Sequence, residues 1–106
     1  MTVPATARRF IVEPDTRAVL PRYVRLQFDR MRERWLLLAP ERVLIPDEIA
    51  VEVLQLCDGE RSVSDVVAIL AEKYNAPIGE ILRDVQVMLQ NLADKGFLTE
   101  AKETPR

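Results

Sequence analysis

Apolar and polar residues alternate strictly over residues 23–28, which is the period-two pattern of a half-buried strand. Trp35–Leu38 is apolar on both faces, as is typical of a central strand, and Arg42–Ile45 predicts a third short strand that ends at Pro46. A charged connection and an Ala-Pro-Glu turn separate the three segments and indicate hairpins. The pattern therefore predicts a small three-stranded antiparallel sheet whose third strand is free to be an edge.

Three helices are predicted after the sheet from their start and stop signals. The signals are Asp47 and Asp58-Gly59 for the first helix, Ser62 with Asp65 for the second, and Pro77 and Lys95-Gly96 for the third. The residues expected to be buried recur at helical spacing: Ile49, Val53, Leu56 and Cys57; Val66, Ile69, Leu70 and Tyr74; Ile78, Ile81, Leu82, Val85, Met88, Leu89 and Leu92. Val87 falls outside the stripe of the third helix and is predicted to be exposed, whereas Phe97 and Leu98 are expected to fold back onto the core.

The order of these elements predicts an α+β fold that is winged-helix-like, with a three-stranded antiparallel sheet followed by a three-helix bundle. Residues 1–20 contain prolines and no sustained periodicity, which predicts a flexible arm or linker. The domain is expected over residues 21–98, and residues 99–106 are expected to form a flexible tail.

Composition argues against most enzymatic chemistry. The chain of 106 residues has no histidine, a single cysteine and three dispersed glycines. The usual catalytic triads, a four-cysteine metal site and a phosphate-binding loop therefore lack their residues. We expect no catalytic residue, no metal and no cofactor, with Cys57 as a buried structural thiol. No apolar run is long enough to span a bilayer and no signal segment is present, which predicts a cytoplasmic protein.

Charge is distributed unevenly along the chain. Residues 1–46 carry nine basic and five acidic side chains, whereas residues 47–106 carry six basic and twelve acidic ones. The basic excess lies in and around the strands. Such asymmetry can steer an acidic partner toward one side of the molecule, although a solvated turn rich in arginine is the more common explanation.

A free strand edge beside a long helix allows three functions. It can receive a peptide as an added strand, or pair with a second copy as a dimerisation module. A nucleic-acid-binding winged helix is the third, but it requires a basic recognition helix. The predicted third helix instead carries Glu80, Asp84 and Asp94 against Arg83 and Lys95, and no β-hairpin wing follows it, which disfavours nucleic acid.

Five short segments, in this order, resemble the family of pyrroloquinoline quinone biosynthesis protein D (PqqD). They are Pro21–Asp29, Leu36–Leu44, Leu56–Gly59, Asp84–Val85 and Lys95–Leu98. The resemblance covers residues 21 to about 98. It implies a RiPP recognition element, which is a peptide chaperone in pyrroloquinoline quinone biosynthesis. Such a chaperone binds a ribosomal precursor peptide (PqqA-like) and presents it to a radical S-adenosylmethionine (SAM) enzyme (PqqE-like), without doing chemistry itself.

The resemblance also implies where the peptide would bind. In such domains the peptide adds as a strand beside the third strand and packs against the third helix. On this sequence, the groove would comprise Arg42, Val43, Leu44 and Ile45 on one side and Arg83, Asp84, Val87, Met88 and Asn91 on the other. The arginines of the first hairpin, Arg30, Arg32 and Arg34, would be a candidate dock for the enzyme.

Overall fold

A small antiparallel sheet precedes three helices in the computed structural model, which describes residues 10–101. The elements are β1 (Ala18–Val19), β2 (Arg25–Asp29), β3 (Arg34–Ala39), β4 (Arg42–Leu44), α1 (Glu48–Leu56), α2 (Val63–Tyr74), α3 (Ile78–Asp94) and β5 (Thr99–Glu100). The predicted α+β class is confirmed, with the three-stranded sheet first and the three helices after it.

The three-stranded sheet has the order β2-β3-β4, with both pairings antiparallel. Leu37 lies opposite Leu26 on one side and Leu44 on the other, so these three side chains share one face of the sheet. Leu37 is completely buried, and the other two pack against the core, which makes this the inner face. Among the described strands β4 pairs only with β3, so β4 is an edge strand.

The turn from β3 to β4 determines which backbone groups the edge presents. Only Pro40 and Glu41 lie between the paired residues Ala39 and Arg42, and Glu41 has a φ of 62°. Proline followed by a left-handed residue is the pattern of a type II turn, in which the C=O of the first residue accepts from the N–H of the fourth. Hydrogen-bonded and non-hydrogen-bonded pairs alternate along an antiparallel ladder, so the N–H and C=O of Val43 point away from β3.

The helix caps follow the predicted signals. The Asp47 carboxylate accepts from the Ala50 N–H at 2.8 Å, which satisfies a donor in the first turn of α1. Ser62 and Asp65 form a reciprocal capping box at the start of α2. After α3, Gly96 adopts a φ of 86°, and Phe97 and Leu98 fold back into the core as predicted.

Four apolar residues that were predicted to be buried are instead 40% exposed or more: Ile49, Ile69, Tyr74 and Ile78. Ile69 lies off the buried stripe of α2, which is formed by Val63, Val66, Val67, Leu70 and Ala71. The other three stand in terminal turns of their helices, where fewer neighbouring elements cover them.

The expected flexible arm is wrong for residues 10–20, which pack against the helices. Val12, Thr16 and Ala18 are buried. The Gln90 side chain accepts from the Val12 N–H at 2.8 Å and donates to the Phe10 C=O at 2.7 Å. Residues 1–9 of the expected arm lie outside the described residues.

The same segment completes the start of α2. The N–H groups of Val63 and Ser64, which have no partner within the helix, donate to the C=O groups of Thr16 and Pro14 at 2.8 Å each. This part of the arm therefore satisfies helix donors that would otherwise require water.

The expected flexible tail is also wrong at its start, because Thr99 and Glu100 form β5. This strand pairs antiparallel with β1, with Val19 opposite Thr99 and Ala18 opposite Glu100. Gly59 donates its N–H to the Ala18 C=O and has a φ of 84°, and an added Cβ would come within 3.2 Å of the Ala101 Cβ. The rest of the expected tail, residues 102–106, lies outside the described residues.

Candidate functional site

A groove runs between the end of β4 and the C-terminal half of α3. Its volume is about 330 Å³. The residues that line it are Leu44, Ile45, Pro46, Asp47, Ala50, Met88, Asn91, Leu92 and Lys95. The groove therefore lies beside the edge strand, with α3 as its opposite wall.

A second cavity, which we call the inter-helix pocket, lies two turns earlier along α3. It has a volume of about 250 Å³ and is lined by Ile49, Leu70, Tyr74, Ile81, Asp84, Val85 and Met88. Met88 lines both the groove and the pocket. The two cavities thus follow one flank of α3 and share a wall.

Few charged groups line these cavities, and they differ in whether another group of the protein already engages them. The Asp47 carboxylate is already engaged as the cap of α1. Lys95 is exposed at the end of the groove, where an ammonium group can receive a peptide carboxylate. Asp84 is exposed in the inter-helix pocket, and within residues 10–101 no hydrogen bond or ion pair engages its carboxylate.

Tyr74, a wall of the pocket, is held by a polar contact on its outer side. Its hydroxyl and the Lys73 ammonium both donate to the Glu52 carboxylate. These two hydrogen bonds, that from Lys73 being the larger contribution, lower the pKa of Glu52. The Glu52 hydrogen bond in turn raises the pKa of Tyr74, so the phenol stays protonated and keeps its donor role.

The structure brings together several of the residues predicted for a peptide groove. Leu44 and Ile45 line the groove from the strand side, and Met88 and Asn91 line it from α3. Asp84 lines the adjoining pocket. Val87 is 59% exposed, as predicted, on the outer surface of α3 beside this flank.

Four residues predicted for the groove line neither cavity: Val87 and the three residues Arg83, Arg42 and Val43. Arg83 lies seven residues before Gln90, which is two helical turns, and so stands on the flank of α3 that holds residues 10–12. The Arg42 guanidinium stacks on the Phe97 ring at 4.6 Å from its centroid. Val43 turns its side chain to the outer face of the sheet opposite Leu38, and only its backbone faces the free edge.

The hairpin arginines lie at the connection of β2 and β3, on other elements than the groove. Arg30, Arg32 and Arg34 are all exposed, and Arg32 pairs with Asp29 at 3.4 Å. Next to them, Met31 is 90% exposed, and the Phe28 and Trp35 rings pack edge to face at 5.4 Å. This end of the sheet combines positive charge with accessible apolar surface.

Sequence reasoning missed five lining residues of the groove: Pro46, Asp47, Ala50, Leu92 and Lys95. The spacing of Met88, Leu92 and Lys95 places all three on one flank of a helix, so α3 contained a usable signal. The other three lie just before α1 or in its first turn, and the packing of this region beside α3 is a tertiary feature without a local pattern.

Cys57 is buried and lines neither cavity. Burial, with a smaller contribution from the Asp58 charge, raises the pKa of the Cys57 thiol to about 12, so it is not a reactive thiolate at neutral pH. Within residues 10–101 no cluster of three metal-ligating side chains occurs. In the same range, no helix is both long and apolar enough to cross a membrane.

Comparison with known proteins identifies the family of this chain. Residues 34–98 match the family model described as coenzyme PQQ synthesis protein D (PqqD). This chain belongs to the PqqD family. A PqqA binding protein of Rhodopseudomonas palustris strain TIE-1 is 63% identical to it over 92% of this chain and 95% of the relative.

Solved structures of PqqD proteins share the fold. The solution structure of the PqqD truncation of Methylobacterium extorquens PqqCD, described as a functional and stand-alone RiPP recognition element, matches with a TM-score of 0.67. It is 45% identical, and the match covers 77% of this chain and 87% of that one. The crystal structure of PqqD from Xanthomonas campestris matches with a TM-score of 0.50 at 36% identity over 89% of this chain and 94% of that one.

A fused relative shows a wider context for the PqqD domain. The bifunctional coenzyme PQQ synthesis protein C/D of Methylorubrum extorquens is 47% identical over 74% of this chain, and this match occupies 21% of the relative's length. In that protein the PqqD domain is part of a longer polypeptide.

Proposed function

We propose that this PqqD protein is a peptide chaperone of pyrroloquinoline quinone biosynthesis that binds a PqqA-type precursor peptide as an added strand on β4. One observation carries the proposal: the edge strand β4 borders a groove whose other wall is α3. The relative from R. palustris, named a PqqA binding protein, supports the identity of the peptide.

Strand addition suits this edge physically. The Val43 N–H and C=O point away from β3, so they can pair with a peptide backbone without breaking the existing ladder. Backbone pairing supplies affinity, and apolar side chains of the peptide that enter the groove against Met88 and Leu92 supply selectivity.

The role is non-catalytic in this proposal. The domain would hold the precursor in an extended form and present it to a radical SAM enzyme (PqqE-like), which does the chemistry. We place this step in the cytoplasm, where a ribosomal peptide is made. The unreactive Cys57 thiol and the relative named a PqqA binding protein support a binding role.

Isothermal titration calorimetry of the protein with the PqqA precursor of the same organism tests the function. We expect saturable one-to-one binding, and no binding of a scrambled peptide of the same composition. Absence of heat with well-folded protein, or equal binding of the scrambled peptide, would overturn the proposal. Salt-dependent binding of duplex DNA in place of the peptide would revive the nucleic-acid hypothesis.

We further propose that the hairpin arginines, Arg30, Arg32 and Arg34, bind an acidic surface of the radical SAM enzyme. Replacing Arg30 and Arg34 by Glu should weaken binding to the enzyme by about tenfold, because like charges then face each other. Peptide affinity should stay within about twofold, since neither side chain lines the groove. Arg17→Glu with Arg22→Glu makes the same charge change away from the hairpin and serves as the control. Equal enzyme affinity for both double variants would reject this dock.

A further inference from the structure

We propose that the inter-helix pocket is a second subsite for the precursor peptide, which takes one apolar side chain with a Lys or Arg beside it in the peptide sequence. This inference rests on the proposed function, because the same peptide would occupy the groove and the pocket. It states which peptide side chains we expect outside the segment that pairs with β4.

The lengths of the elements allow a contact of this kind. The lining residues of α3 run from Ile81 to Lys95, which is about 21 Å at the helical rise. The three residues of β4 span only about 10 Å. A peptide that follows the flank of α3 therefore passes beyond the edge strand, and the inter-helix pocket is the next cavity that it meets.

The shape of the pocket fits a side chain better than a separate small molecule. Its volume of about 250 Å³ is below the roughly 300–1,000 Å³ typical of small-molecule sites. Apart from Asp84 and the Tyr74 hydroxyl, its lining side chains are apolar. Because the Tyr74 hydroxyl is bound by Glu52, the ring presents a fixed apolar face.

The charge at the rim of the inter-helix pocket determines which kind of peptide residue is favoured beside the inserted side chain. Lys73 is paired with Glu52, so these two charges offset each other beside Tyr74. The Asp84 carboxylate has no such partner within the described part of the chain. The Glu52 hydrogen bond is the main cause of the raised pKa of Tyr74, and the charge of Glu48 is the last of the contributions to it. The rim is therefore anionic and favours a cationic residue next to the buried side chain.

Ile49→Asn in the full chain tests the subsite, with Ile69→Asn as a matched control. Both isoleucines are half-exposed helix residues, but only Ile49 lines the pocket. We expect Ile49→Asn to raise the Kd of the PqqA peptide about tenfold, because a buried apolar contact is lost, and Ile69→Asn to leave it within about twofold. Asp84→Lys, at an exposed position, should also weaken binding, and more strongly at low salt.

Alanine substitutions along the peptide identify the inserted side chain. One apolar position should show a smaller loss on Ile49→Asn protein than on wild type, which is the coupling expected of a direct contact. If the wild type binds the peptide but Ile49→Asn and Asp84→Lys bind as well as the control, the subsite is wrong and the proposed function stands. If the wild type does not bind the peptide, both are wrong.

Discussion

Val43→Pro should raise the Kd of the PqqA peptide at least tenfold while the protein stays folded. The proline ring removes the Val43 N–H, which points to the free edge, and its bulk lies where the added strand must approach. The loss of one backbone hydrogen bond and the steric conflict together correspond to about 1.5–3 kcal/mol of binding free energy. Calorimetric titration of the variant measures the change.

The control for this variant is Val43→Ala, which keeps the N–H and removes a side chain that is 62% exposed. We expect Val43→Ala to bind the peptide within about threefold of wild type. Thermal unfolding of both variants separates a loss of binding from a loss of fold. A folded Val43→Pro protein with wild-type affinity would show that the peptide does not pair with β4.

Val12→Asp should lower the free energy of unfolding by about 2–3 kcal/mol, whereas Ile11→Asp should change it by less than about 0.5 kcal/mol. Val12 is 4% exposed and packs in the core cluster, while its neighbour Ile11 is 50% exposed. A carboxylate at position 12 would be buried without a partner, or would detach the segment from Gln90. Urea unfolding of the two variants measures the difference.

Detachment of residues 10–12 would show directly in amide hydrogen exchange. In wild type the Val12 N–H donates to Gln90 and should exchange slowly, and Val12→Asp should remove this protection. If the two variants unfold at the same urea concentration as wild type, this segment does not contribute to the folded state.

The sheet and the helices were predictable because their signals are local. The alternation in β2, the capping box of Ser62 and Asp65, and the turn at Pro40 each lie within a few residues. Such local preferences agree with the tertiary fold, and the structure retains them.

The packing of residues 10–20 was not predictable, because no periodic side-chain pattern makes the contact. Backbone groups make part of the contact: the carbonyls of Pro14 and Thr16 accept from the first turn of α2. Only Val12, Thr16 and Ala18 are buried, at irregular spacing. The sequence of such a segment resembles that of a linker, because the residues that it contacts lie far away in the chain.

The candidate site was partly predictable for a similar reason. A helical-wheel projection of α3 places Met88 and Asn91 on one flank, and both residues line the groove in the structure. Arg83 belongs to the opposite flank with Gln90, which the same wheel would have shown. The inter-helix pocket depends on the meeting of α1, α2 and α3, which no single segment encodes.

The most direct test of strand addition is an amide chemical-shift titration of isotopically labelled protein with the PqqA precursor. The account predicts the largest changes at Val43, Ile45 and the groove flank of α3 at Met88 and Asn91, together with slowed exchange of the Val43 N–H. Gln86 and Gln90, on the opposite flank, should change little. Saturable binding with changes confined to that opposite flank or to the outer face of β2 would contradict strand addition at β4.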